Sequence, residues 1–188
     1  MPVRSRKRSN TRTSNRSNNR GKDAIALLIE DHKNVRQLLK RLEATTGRST
    51  EQREQLLSRI ENEVRMHTTI EEEIFYPAYR DAVRSRNDKV LYFEALEEHH
   101  VVDMVMPEIK STETDADEFG AKAKVLKDLI EYHVEEEETE MFPKARKAMG
   151  AMRLKQLGQE MEERKHELST GLFGGTMERL RSGRRRVA

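Results

Sequence analysis

The sequence predicts an all-α protein, an antiparallel up-down-up-down four-helix bundle with a short extra C-terminal helix. Three observations carry that expectation. Leu, Glu, Lys, Arg and Met abound, while aromatic residues make up 5% of the chain and only nine Gly and four Pro occur, a composition that favours helices over sheets. Apolar residues recur at three- and four-residue spacing through four long segments. Short polar turns separate these segments, and short turns join antiparallel neighbours.

The first helix is expected over residues 23–44. Asp23 suits its N-cap, and Ile25, Leu28, Ile29, Val35, Leu39 and Leu42 form one stripe. Thr45, Thr46, Gly47, Arg48 and Ser49 break it. A second segment, residues 50–83, carries Leu57, Ile60, Val64, Ile70 and Ile74. Pro77 lies late in it and is expected to kink it or end its regular part. A polar turn at 85–88 leads to a third helix over 89–109. A loop at 111–117 leads to a fourth over 118–149, again with a late proline, Pro143. Gly150 precedes a weaker helical stretch, 151–168, expected to pack on the outside. The chain thus divides into an arm (1–22), a bundle (23–149), an accessory helix (150–170) and a tail (171–188).

Composition also excludes. Without Cys there are no disulfides, zinc ribbons, thiolate clusters or Cys nucleophiles. Any metal must be held by His, Asp and Glu, which favours iron, manganese or zinc over copper(I). No apolar run approaches the roughly 18 residues of a membrane span. The net charge of +2 hides an asymmetry. Residues 1–22 carry eight basic side chains and no acid, and residues 175–188 carry five Arg against Glu178, so residues 23–174 hold a net −10. The arm, rich in Ser, Asn, Arg and Thr with Val3 its one clear aliphatic, is expected to be disordered. It lacks both the apolar core of a secretory signal and the apolar face of a transit peptide, so the expected location is the cytoplasm. The thirteen basic tail residues suit nonspecific contact with nucleic-acid phosphates, or serve only as solubilising ends. No aromatic lies among the N-terminal basic residues to stack on bases.

The histidines carry the chemistry. Of the six, His32, His67, His99, His100 and His133 each fall near the middle of one of the four helices, positions that meet at one height in a bundle. His67 precedes Glu71 by four residues and His133 precedes Glu137 by four, which puts each pair on one helical face. The two segments repeat: His67, Glu71, Glu72, Tyr76 and Pro77 match His133, Glu137, Glu138, Phe142 and Pro143 at an offset of 66. The repeat extends upstream, where Asp31, His32 and Val35 match Glu98, His99 and Val102. One buried histidine is ordinarily a core residue. Four of them, one per helix and two with a carboxylate one turn on, point instead to a metal, because a buried glutamate without a cation is costly.

On the third helix the stripe of Tyr92, Ala95, Leu96, Val102 and Met106, together with the repeat, favours His99 over His100. Asp103, four residues after His99, is either a further carboxylate ligand or a surface residue. A ferritin-like arrangement of Glu-x-x-His pairs fits Glu97 with His100 and Glu163 with His166, but leaves His32, His67 and His133 without a role.

Taken in order, Asp31-His32, His67-x-x-x-Glu71-Glu72 with Pro77, Glu98-His99, and His133-x-x-x-Glu137-Glu138 with Phe142-Pro143 resemble the hemerythrin-like HHE cation-binding domain over residues 23–149. The resemblance implies two iron ions with an oxo or hydroxo bridge, manganese or zinc being the less favoured occupants. It implies His32, His67, His99 and His133 as terminal ligands and Glu71 and Glu137 as bridges. One departure stands out. Oxygen-carrying hemerythrins place two His four apart on the third helix, where this chain has His99 and Asp103, which speaks against reversible oxygen carriage. On two six-coordinate irons, these six ligands together with the bridging oxygen leave about two coordination positions for water, Asp103 or a small ligand. The implied function is to bind or sense O2 or nitric oxide, or to handle iron. The alternatives are a di-iron enzyme acting on peroxide or nitric oxide, and a nucleic-acid-associated scaffold. A monomer is expected.

Overall fold

The computed structural model describes the backbone of residues 21–183 and the side chains of residues 21–171. Residues 1–20, which hold nearly all of the basic arm, and the arginines at 184–186 lie outside it. Helix α1 (Ala24–Glu43) begins as the sequence predicts, with the Asp23 carboxylate accepting from the Ala26 amide at 2.8 Å. Helix α2 (Thr50–Ile70) follows a six-residue connection. Helix α4 (Arg86–Lys110) starts three residues before the expected point, because Ser85 is its N-cap. Helix α5 spans Asp117–Glu136. Each of α1, α2, α4 and α5 lies beside its sequence neighbour, and α5 closes the ring against α1. No helix among the described residues is long and apolar enough to cross a membrane.

The prolines do something other than end their helices. After α2 the chain widens into a π turn, Glu71–Phe75, and continues as α3 (Tyr76–Ala82). After α5 it widens at Glu137–Met141 and continues as α6 (Phe142–Gly183). Pro77 has no amide hydrogen and its ring would crowd the carbonyl four residues back. The preceding amide, Tyr76, instead reaches five residues back to the Glu71 carbonyl, and Phe142 does the same to Glu137. Both widened turns therefore begin on the paired glutamates. Single π turns of this kind are frequent at functional sites.

Helix α6 breaks at Gly150, whose φ of 72° is a left-handed conformation that glycine adopts without strain. The accessory helix beyond it runs to Gly183, well past residue 168, and is firmly docked. Leu154, Leu157 and Met161 are buried with Ala24, Ile25 and Leu28 of α1. At Gly158 the helix passes so close to the start of α1 that a Cβ would lie 2.3 Å from the Lys22 carbonyl oxygen.

Two apolar clusters fill the bundle. One joins Ile25, Leu28, Ile70, Phe75, Tyr76, Tyr79 and Phe142 to the accessory helix. The other, at the opposite end, includes Leu39, Ile60, Ile109, Phe119 and Leu126. Of the eight buried polar residues among those described, Arg53 alone belongs elsewhere: it ties Thr45 to the Thr114 carbonyl at the far end. The other seven sit between the two clusters.

Candidate metal centre

Those seven are Asp31, His32, His67, Glu71, His99, His133 and Glu137. The six residues expected as ligands are thus brought to one level, from all four bundle helices. Glu71 is 0% and Glu137 1% exposed. His100 and Asp103 are exposed on α4, so neither joins the cluster.

The cluster has two halves. In one, His32 Nε2 lies 3.1 Å from His67 Nε2, and His67 Nε2 lies 3.2 Å from Glu71 Oε2. Glu137 Oε2 is 3.2 Å from His32 Nε2. In the other, His99 Nε2 and His133 Nε2 are 3.2 Å apart, with Glu71 Oε2 3.4 Å from the first and Glu137 Oε2 3.7 Å from the second. One carboxylate oxygen from each glutamate therefore faces both halves. Ligand atoms of His32, His67, Glu71 and Glu137 lie within 4.8 Å of one another, as do those of Glu71, His99 and His133.

Each ring has a carboxylate behind it, and three of the four are hydrogen-bonded to theirs. His32 Nδ1 pairs with Glu138 at 2.9 Å, His99 Nδ1 with Glu72 at 2.8 Å, and His133 Nδ1 with Glu98 at 2.7 Å. His67 Nδ1 faces Asp31 Oδ2 at 3.5 Å, and neither atom has a hydrogen-bond partner. The pattern obeys the repeat: Glu138 and Glu72 are one matched pair, Asp31 and Glu98 the other. Such carboxylate–histidine pairs fix the tautomer and leave Nε2 as the free donor atom. The repeat marks these four acids as matched pairs, but their contacts with the imidazoles arise only in the folded bundle.

The donor set fits a pair of cations. His99 and His133, each with Nδ1 against a carboxylate, bring their Nε2 atoms within 3.2 Å of each other. Both Glu71 oxygens and Glu137 Oε2 are buried without a hydrogen-bond partner, a costly state unless a cation lies between them. Protons answer part of that need. Burial, reinforced by the neighbouring Glu137 charge, pushes the Glu71 carboxyl well above its ordinary range. Burial acts upward on Glu137 too, but His133, His32 and His67 hold it below the ordinary range. Burial pulls His32 down, yet the Glu137 and Glu138 carboxylates bring it up to about 9. Burial lowers His67 to about 4. The neighbouring carboxylates thus favour a proton on His32, while burial disfavours one on His67.

The halves differ in one further residue. Phe142 stacks on His32 with ring centroids 5.7 Å apart. Its counterpart Tyr76 stacks on His99 at 5.5 Å, and its hydroxyl donates to Glu137 Oε1 at 2.9 Å while lying 3.3 Å from His99 Nε2. The recurring aromatic was visible in the sequence, but not its entry into the site. The π turn supplies that, since its wider pitch brings residues five apart, Glu71 and Tyr76, toward one face.

A helical bundle with paired His-x-x-x-Glu segments and a buried His and Glu cluster able to hold metal is a cation-binding bundle. Residues 23–145 match the hemerythrin HHE cation-binding domain, and the chain belongs to that family. Among solved structures, it is similar to an HHE cation-binding domain-containing protein from Mycobacterium kansasii. That likeness has 24% identity over 85% of this chain and 93% of the other, with a TM-score of 0.70. It supports the four-helix fold with its C-terminal extension. No curated protein matches.

Proposed function

We propose that the chain is a cytoplasmic di-iron protein that binds or senses a diatomic ligand, O2 or nitric oxide. The observation that carries this reading is a cavity of about 30 Å3 directly over the cluster. Its floor is His32, His67, His99 and His133, and its walls include Val35, Val64, Val102, Ile130 and Val134. Thr68 is the only hydroxyl residue on its lining. A space near the volume of one water molecule, walled by aliphatic side chains above the four imidazoles, admits a small neutral molecule and disfavours a charged or bulky one.

His32, His67, Glu71 and Glu137 would hold one iron, and His99, His133 and Glu71 the other, with Glu137 also within reach of the second. Iron there supplies ligand binding and one-electron redox chemistry. The residues do the rest. Glu72, Glu98, Asp31 and Glu138 orient the imidazoles, the valines and Ile130 exclude water, and Tyr76 holds a proton at its hydroxyl beside Glu137.

That hydroxyl favours a second reading, an enzyme acting on peroxide or nitric oxide, because such turnover needs a proton donor at the centre. One experiment separates the two. Protein produced with ample iron is analysed for metal, its near-ultraviolet absorption is recorded, and it is exposed to O2, nitric oxide and peroxide in turn. About two irons per chain and a reversible spectral change with O2 or nitric oxide support the binding reading. Sustained gas evolution or nitric oxide consumption supports the enzyme. Negligible iron in folded protein removes both.

A further inference from the structure

Three of the four steering carboxylates are glutamates at 2.7–2.9 Å with partly exposed side chains. The fourth breaks the pattern. Asp31 is one methylene shorter, is only 6% exposed and stands 3.5 Å from the His67 ring. Its other oxygen, Oδ1, accepts from Lys165 Nζ at 2.5 Å. Lys165 lies on the accessory helix, outside the matched domain of residues 23–145. Among the described residues no Lys or Arg pairs with Glu98, the matched acid of the other half.

The support for Lys165 is rigid. Leu154, Leu157 and Met161 anchor the helix in the core, and Gly158 lets it touch the entry to α1. The adjacent Arg164 grips Glu73, two residues past Glu71, through two bonds of 2.7 and 3.1 Å. Two consecutive residues thus hold both helices that bring His32 and His67 together. A buried carboxylate without a partner would turn toward solvent. Lys165 holds Asp31 Oδ1 and keeps the side chain seated behind His67.

We propose that Lys165 is a positioning residue: through Asp31 it orients the His67 ring, so that the metal position at His32 and His67 depends on the accessory helix while the one at His99 and His133 does not. The proposal rests on the metal-centre reading. It makes the two positions unequal.

Zinc(II) titration followed by 15N NMR of the imidazole nitrogens tests it, with zinc as a diamagnetic probe. Full-length wild type is compared with Lys165→Met, Lys165→Arg, Asp31→Asn and Arg164→Ala. In wild type, zinc should shift the signals of all four rings. In Lys165→Met and Asp31→Asn the His99 and His133 signals should saturate as in wild type. The His32 and His67 signals should need roughly 10–100-fold more zinc. Lys165→Arg should restore them. Before any zinc is added, the His67 Nδ1 signal alone should move in Lys165→Met. Wild-type behaviour of Lys165→Met, or an equal loss in both halves, overturns the proposal. So does an identical effect in Arg164→Ala, which would make general docking the cause. If wild type takes up no zinc, iron or manganese, the metal-centre reading fails, and the zinc-free His67 signal still decides whether Lys165 positions the ring. Should Lys165→Met not fold, as judged by circular dichroism, Asp31→Asn carries the same test.

Discussion

At the scale of single residues, Glu137 is where the site converges. It faces His32 and His133, accepts from Tyr76, and keeps one oxygen without a hydrogen bond. Glu71 occupies the matched place in the repeat. Glu71→Ala and Glu137→Ala should each weaken the hold on both metals by about tenfold or more. His100→Ala, by contrast, should leave metal content at the wild-type value and His99→Ala should lower it, since His99 is 5% exposed and His100 is on the surface. Elemental analysis of the purified variants reads both effects, and damage from His100→Ala would put the third-helix register off by one. Tyr76→Phe removes a buried hydrogen bond to a carboxylate. It should cost the metal-free protein about 1.5–3 kcal/mol in urea unfolding. The histidines and glutamates of the cluster were legible because the helical period and the internal repeat, at an offset of 66 or 67 residues, mark them twice over. The hydroxyl of Tyr76 was not, because an aromatic at a helical position reads as core until the backbone pitch is known.

The helices themselves were largely legible, and the misses have local causes. Ser85 caps α4 early because its hydroxyl reaches the Asp88 amide, a signal that a polar turn obscures. The π turns escape a search for α-helical spacing because they alter that spacing over only five residues. The accessory helix read as peripheral because Leu154, Leu157 and Met161 are few and interspersed with charge. Burying them nevertheless contributes on the order of 1.5–3 kcal/mol apiece. Its seating hinges on Gly158. A Cβ there would meet Lys22 O at 2.3 Å and Ala24 N at 2.9 Å, all backbone that cannot step aside. Gly158→Ala should therefore destabilise the protein by about 1–3 kcal/mol. Gly171→Ala, with nothing within 4 Å, should be neutral or mildly stabilising. Thermal melts of the two variants beside wild type make the comparison. Equal midpoints would mean that the accessory helix is not tightly seated.

Across the whole molecule, charge, protons and metal are linked. The apolar clusters at both ends should keep the metal-free bundle folded, and metal that binds only the folded state should raise its melting midpoint. The metal-free protein should itself respond to pH in a way fixed by the cluster. His32 is raised from 6.5 to about 9. Its contribution is complete below about pH 6.5 and is lost as pH rises through about 9, a change on the order of 3 kcal/mol. Glu71 is also raised, so its proton favours the fold with the same sign and is lost as pH rises. Glu137 and His67 are lowered and act oppositely. The Glu137 contribution is complete above about 4.5 and that of His67 above about 6.5, and both are lost on the acid side, His67 as pH falls through about 4. The melting midpoint of metal-free protein should accordingly peak near pH 6 and decline toward pH 9. Metal reverses the alkaline limb, because it takes the place of the protons on His32 and Glu71 and releases them on binding. The gap between loaded and metal-free midpoints should widen from pH 6 to pH 9. Paired melts across that range, with a chelator in one series and ferrous iron under anaerobic conditions in the other, measure the gap. A gap that is constant or shrinks with pH would mean that metal and protons do not compete for these residues, and that the buried His and Glu cluster is not the metal site.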